Sequence, residues 1–142
     1  MATTRTAHTV WNGDLMSGAG NTSLDSSGLG NFDVTWKARA ESAEGKTSPE
    51  ELIAAAHSAC FSMAFSHALA QAGHTPEEVN TKADVTFEPG TGITGSHLTL
   101  NARVPGISEE EFQRLAGEAK TGCPVSAALT GIEITLDDTL AA

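Results

Sequence analysis

The 142-residue chain predicts an α+β fold with the element order βββ-α-ββ-αα-β. Three observations carry this. Short apolar-polar alternations separated by turn formers fill the first forty residues. One long apolar stretch follows with a complete helix-start signature. Two more alternating segments, two shorter helical patterns and a last strand then close the chain. Strands and helices come in blocks rather than as alternating βαβ units. No repeat, low-complexity tract or linker breaks the sequence, so residues 1–142 are expected to form a single domain.

The opening strands are expected at residues 7–11, 21–24 and 32–38. Asn12-Gly13-Asp14 and Ser26-Ser27-Gly28 supply the turns between them, and residues 43–46 a polar loop. In Ser48-Pro49-Glu50-Glu51, Ser48 is placed as N-cap, Pro49 suits the first helical position and Glu51 completes the spacing of a capping box. The helix is expected to run to about Ala72, where Gly73 and Pro76 stop it. It would be roughly 36 Å long at 1.5 Å per residue. Almost no charge lies between Leu52 and Ala72, so the helix is expected to be buried on most sides, with a partner subunit as one covering. Strands at 81–88 and 96–104 are joined through Pro89-Gly90-Thr91-Gly92. Ser108 caps a second helix with the apolar stripe Phe112, Leu115, Ala116 and Ala119, stopped at Gly122. Cys123-Pro124 opens a short third helix to Leu129, and residues 132–136 form a final strand.

Charge excludes one large class of partner. Eight basic against eighteen acidic residues give a net charge of −10, and a nucleic-acid phosphate backbone needs clustered Lys and Arg. No apolar run is expected to reach the roughly 20 residues of a membrane span. The start, MATTRTAHTVWNGD, lacks the basic end and apolar run of a secretory signal, which leads to a cytoplasmic protein as the expectation. Two cysteines are too few for a disulfide framework, and in a reducing compartment such a pair is more often catalytic.

Those cysteines are the chemical candidates. Cys60, in TSPEELIAAAHSACFSM, fits a core filler, a metal ligand or half of a redox pair. Cys123, followed by Pro124, sits near a helix N-terminus, where amides and the helix dipole favour a thiolate, so locally it is the more acidic thiol. His57 is one helical turn from Cys60, which admits a Cys-His hydrolase, although no oxyanion or orienting motif accompanies the pair. His57, Cys60 and His67 admit a metal, but no CxxC, HxxxH or HExxH spacing occurs. Arg39, read as the end of the third strand, and Glu50, in the first helical turn, are each surface charges or site residues. An arginine beside a thiol favours its thiolate, and a carboxylate orients the arginine through a bidentate pair. Glu50 and Cys60 are ten residues apart on one helix, about 15 Å, so they share a site only if Glu50 comes from an antiparallel helix of a second subunit.

Two stretches, PEELIAAAHSACFSMAFSHAL and GCPVSAALTGIEITLD, resemble the family of osmotically inducible protein C and the organic hydroperoxide resistance proteins (OsmC/Ohr), in its osmotically inducible branch. The resemblance extends to WNGDL, HTPEEVNTKADVTFE and VPGISEEEF, and so covers nearly the whole chain. It implies an OsmC-like intertwined homodimer, with two β-sheets around long central helices and the active site at the subunit interface. It implies a thiol-dependent peroxidase in which Cys60 is the peroxidatic and Cys123 the resolving cysteine. Glu50 matches the active-site glutamate and Arg39 the arginine, with Arg103 as the other candidate. The local ranking of the two thiols is thereby reversed.

In that reading Cys60 attacks an organic hydroperoxide, with hydrogen peroxide as a second substrate, and becomes a sulfenic acid. Cys123 then closes a disulfide, which requires Cα atoms about 4.4–6.8 Å apart. No cofactor is expected. An external dithiol, a lipoyl group among the candidates, resets the enzyme. Phe61, Met63 and Phe65 are candidates either for an apolar mouth or for core packing. A non-catalytic redox-sensing or structural stress protein stands beside the hydrolase as the alternative.

Overall fold

A computed structural model describes all 142 residues, which form two compact units, Met1–Leu52 and Ile53–Ala142. The first is an antiparallel sheet in the order β1-β2-β3, with β1 at His8–Asn12, β2 at Ala19–Ser23 and β3 at Asn31–Val34. Gly20 lies close beneath its neighbours: a Cβ there would meet the Trp11 ring at 2.7 Å, so only glycine lets β2 pass between β1 and β3.

The third strand ends at Val34, earlier than the sequence reading had it. Thr35 turns the chain into a short helix, α1 (Trp36–Ala40), because its hydroxyl accepts from the Ala38 N–H. Arg39 therefore projects from the last turn of a helix rather than from a strand end. The observed order is βββ-αα-ββ-αα-β, still an α+β arrangement.

α2 spans Pro49–Gln71. The Ser48 hydroxyl accepts from the Glu51 N–H as the capping box predicts, while the Glu51 carboxylate is taken by the Thr47 hydroxyl. At the far end Gly73 adopts φ +85°, and its N–H and that of His74 bond the carbonyls of Ala70 and Leu69, closing a Schellman motif. Burial on most sides was expected with a partner subunit as one covering, and this chain alone supplies one stripe of it. Within this chain α2 buries His57, Phe61, Phe65 and Leu69 at four-residue steps, while Ala55, Ala56, Ala59 and Met63 stay exposed. The helix is also long and apolar enough to cross a membrane by length and composition (23 residues, mean hydropathy 1.3), contrary to the sequence expectation. Its buried stripe is instead part of the core of the second unit.

That unit is built on a sheet in the order β4-β5-β6, formed by Glu78–Glu88, Gly92–Arg103 and Glu133–Leu140. β4 and β5 make an antiparallel hairpin; β6 lies parallel to β5. A parallel return needs a crossover, supplied by α3 (Glu109–Gly122) and α4 (Pro124–Ala128). Ser96, Leu98, Leu100 and Ala102 point from β5 into the core, with a polar residue or half-buried neighbour between each. The predicted α3 stripe of Phe112, Leu115, Ala116 and Ala119 is buried as expected. Phe65 stacks on Phe61 at 6.0 Å and meets the Phe112 ring edge-on at 5.4 Å, joining α2 to α3. Replacing Phe65 with alanine is expected to cost about 3–5 kcal/mol, read as a lower urea midpoint at unchanged slope.

Candidate active site

Cys60, partly buried on α2, and Cys123, fully buried where α3 meets α4, are both free thiols. Cys123 ends one helix and begins the next: its N–H bonds the Ala119 carbonyl and its own carbonyl accepts from Ala127. Cys60 packs against the buried cluster that contains Cys123, and each thiol acts on the other's ionisation. Burial pushes the Cys60 thiol up, and donating its S–H to Cys123 pushes it further, against the Val125 amide. Burial would also raise Cys123. The Cys60 S–H, the Ser126 amide and hydroxyl and the Val125 amide outweigh it and bring Cys123 below the ordinary thiol value. The first proton belongs to the pair, and within one chain Cys123 is the thiol that ionises more readily. The local ranking of the thiols is thus the one this subunit displays.

A cleft of about 480 Å³ opens beside Cys60, lined by Met63, Ala64, Ala68 and Pro124, with His67 and Glu118 as its polar members. Met63 is 72% exposed and belongs to this mouth. Phe61 and Phe65 do not; both are fully buried in the core.

In the first unit the Arg39 guanidinium grips Glu50 in a fork. Nε lies 3.1 Å from both carboxylate oxygens and Nη2 lies 2.8 Å from Oε2. The Glu50 side chain is 8% exposed and that of Arg39 30%, so the carboxylate is the buried anchor and the guanidinium its partly open face. Arg39, Trp11, Leu15 and Trp36 border a further cleft of about 370 Å³. Arg103, the other arginine considered, is exposed on β5. The sequence-predicted residues thus meet in two pairs, Cys60 with Cys123 and Arg39 with Glu50.

His57 takes no part in a Cys-His pair with Cys60. It is fully buried, with Nδ1 2.7 Å from the Ser96 hydroxyl and Nε2 2.8 Å from the Ser126 hydroxyl, so both ring nitrogens are engaged. Burial pushes its pKa down, leaving a neutral ring at pH 7. No group of three or more His, Cys, Asp or Glu side chains is arranged to hold a metal. Sequence reasoning passed over Ser96 and Ser126. Ser126 could have been found: three residues after an N-terminal Cys123, it occupies the N3 position of α4, where a side chain turns back toward the cap.

The sequence profile of the family described as OsmC-like protein matches residues 41–137. Peroxiredoxin OsmC of Escherichia coli (strain K12) is 45% identical over 130 residues, covering 89% of this chain and 90% of that protein. The organic hydroperoxide resistance protein OhrA of Bacillus subtilis (strain 168) is 33% identical over 102 residues, 70% of this chain and 72% of its own length. Among solved structures, the organic hydroperoxide resistance protein OhrB of Bacillus subtilis superposes with a TM-score of 0.67 at 25% identity, covering 94% of this chain and 98% of that one. Profile, full-length relatives and fold agree, and the chain belongs to the OsmC-like protein family.

Proposed function

We propose that this chain is a thiol-dependent peroxidase that reduces organic hydroperoxides, and hydrogen peroxide beside them, with residues 1–142 acting as one catalytic domain. The observation that carries the reading is the packing of Cys60 against the buried cluster that holds Cys123, at the edge of an apolar cleft, with each thiol acting on the other's ionisation. Cys60 thiolate attacks the terminal peroxide oxygen; the O–O bond breaks, the alkoxide leaves as alcohol after taking a proton, and Cys60 becomes a sulfenic acid. Cys123 thiolate attacks that sulfur, hydroxide leaves as water, and a disulfide remains. An external dithiol, with a lipoyl group as the candidate, returns both thiols, so no resident cofactor is involved. The alkyl group of the substrate fits the aliphatic wall made by Met63, Ala64 and Ala68.

A Cys60 thiol whose pKa is raised is a poor nucleophile, and its own subunit does not correct this. The reading therefore places the Arg39–Glu50 fork of a second copy against Cys60 in a homodimer. The exposed face of α2 supports it. Midway between Glu50 and Cys60 lies Ala55, and Ala55 and Ala59 leave a small-residue strip open on this chain. Two antiparallel helices crossing at Ala55 bring each Glu50 opposite the partner's Cys60. In that assembly the guanidinium favours the Cys60 thiolate, and Glu50 holds it in place.

The test is Cys123→Ser, assayed with cumene hydroperoxide and reduced lipoamide. The variant is expected to consume about one peroxide per subunit and then recycle at least about tenfold more slowly than wild type. Ester hydrolysis surviving the substitution would favour the hydrolase, and a change in melting alone a structural role.

A further inference from the structure

We propose that Ser126 and His57 form a proton relay that activates Cys123 for the resolving step, with Ser126 touching the sulfur and His57 acting through it. The inference rests on the peroxidase reading above and concerns a step that the four residues already discussed leave without a base.

The geometry is a line of polar atoms through the core: Ser96 Oγ, 2.7 Å to His57 Nδ1, then His57 Nε2, 2.8 Å to Ser126 Oγ, three residues along α4 from its N-cap Cys123, whose thiolate the Ser126 hydroxyl favours. His57 and Cys123 are fully buried, and Ser96 and Ser126 are each 2% exposed, so bulk water does not serve these atoms. No buried side-chain nitrogen or oxygen is left unpartnered. The three partners come from distant parts of the chain: α2, β5 and α4. A histidine kept only for packing also needs two partners when buried. This one ends on a group that changes charge during the proposed cycle, and that distinguishes it.

The direction of the chain follows from that charge. When Cys123 is a thiolate, the Ser126 hydroxyl donates to sulfur, so its oxygen accepts from His57 Nε2–H and Nδ1 accepts from the Ser96 hydroxyl. When Cys123 carries its proton, S–H donates to Ser126, Ser126 donates to Nε2, and Nδ1–H donates to Ser96. The second arrangement is the one relevant to resolution, because an arginine at Cys60 leaves the proton on Cys123. Once Cys60 is a neutral sulfenic acid, Cys123 passes its proton to Ser126 Oγ while the Ser126 proton moves to Nε2. The new thiolate attacks Cys60; the S–S bond forms and the S–O bond breaks. Cys123 is oxidised and the sulfenic sulfur reduced, and the proton taken by the relay neutralises the departing hydroxide as water. A neutral buried imidazole suits the task, since it holds the proton briefly and gives it back.

Rapid mixing with one equivalent of cumene hydroperoxide separates the two half-reactions. Dimedone trapping and mass spectrometry follow the Cys60 sulfenic acid, and loss of free thiol follows the disulfide. In Ser126→Ala and His57→Phe, sulfenic acid is still expected to form, while disulfide formation slows by about 100-fold relative to it and trapped Cys60 accumulates. Ser126→Thr, which keeps the hydroxyl, is expected to restore most of the rate. Wild-type disulfide formation in Ser126→Ala overturns the relay, and that variant decides should His57→Phe fail to fold. Absence of any sulfenic acid or disulfide in wild type is a different result: it overturns the peroxidase reading itself, and the relay with it.

Discussion

Replacing Cys60 with serine is expected to lower peroxide consumption by about three orders of magnitude or more, because serine lacks both a thiolate near neutral pH and a sulfur able to take the peroxide oxygen. Cys60 is partly buried and its partner sulfur sits beside it, so the hydroxyl fits the same space and the fold should hold. The measurement is consumption of cumene hydroperoxide and of hydrogen peroxide with reduced lipoamide or dithiothreitol as electron source. The comparison also ranks the substrates, since in the proposed site the Met63–Ala64–Ala68 wall would reward an alkyl group that hydrogen peroxide lacks. Slow consumption equal in both proteins would reduce Cys60 to a sensor or a packing residue.

The second large effect concerns Arg39. Substituting alanine leaves the Glu50 carboxylate, 8% exposed, without its fork and, in the proposed homodimer, would leave the Cys60 thiolate without a cation. Activity is expected to fall by about 100-fold or more, the usual scale for removing a positioned electrostatic group. Mixing makes the experiment sharper. Arg39→Ala and Cys60→Ser chains, each inactive alone, are expected to regain about one quarter of wild-type activity after subunit exchange, because half of the dimers are mixed and each holds one complete site. If Arg39 acted within its own subunit, mixing would restore nothing.

Much of the fold was legible because local chemistry set it. Ser48 and Ser108 announced α2 and α3, Gly73 ended α2, and Ala83, Val85 and Phe87 alternated as β4 requires. The third strand was overread because Phe32, Val34 and Trp36 continue an alternating pattern into residues that are helical. Thr35 carried the competing signal, an N-cap, and hydrogen bonding to Ala38 won over periodicity. The parallel pairing of β5 with β6 had no local sign, since it depends on where α3 and α4 return the chain. At the site, the family motifs named Cys60, Cys123, Glu50 and Arg39, and the Arg39–Glu50 fork then proved to be a contact. The His57 line could not be read, because Ser96 and Ser126 lie 39 and 69 residues from it in sequence.

The greater acidity of Cys123 bears on the life of a newly made subunit. In a single chain the more accessible sulfur, Cys60, is the harder to ionise, and the more acidic one, Cys123, lies hidden in the interior. On the proposed mechanism such a chain would be slow to react with stray oxidants and would not spend its thiols before assembly. In the proposed homodimer, reactivity would arrive with the second copy, so pairing would work as a safety catch on the chemistry and dilution would reset it.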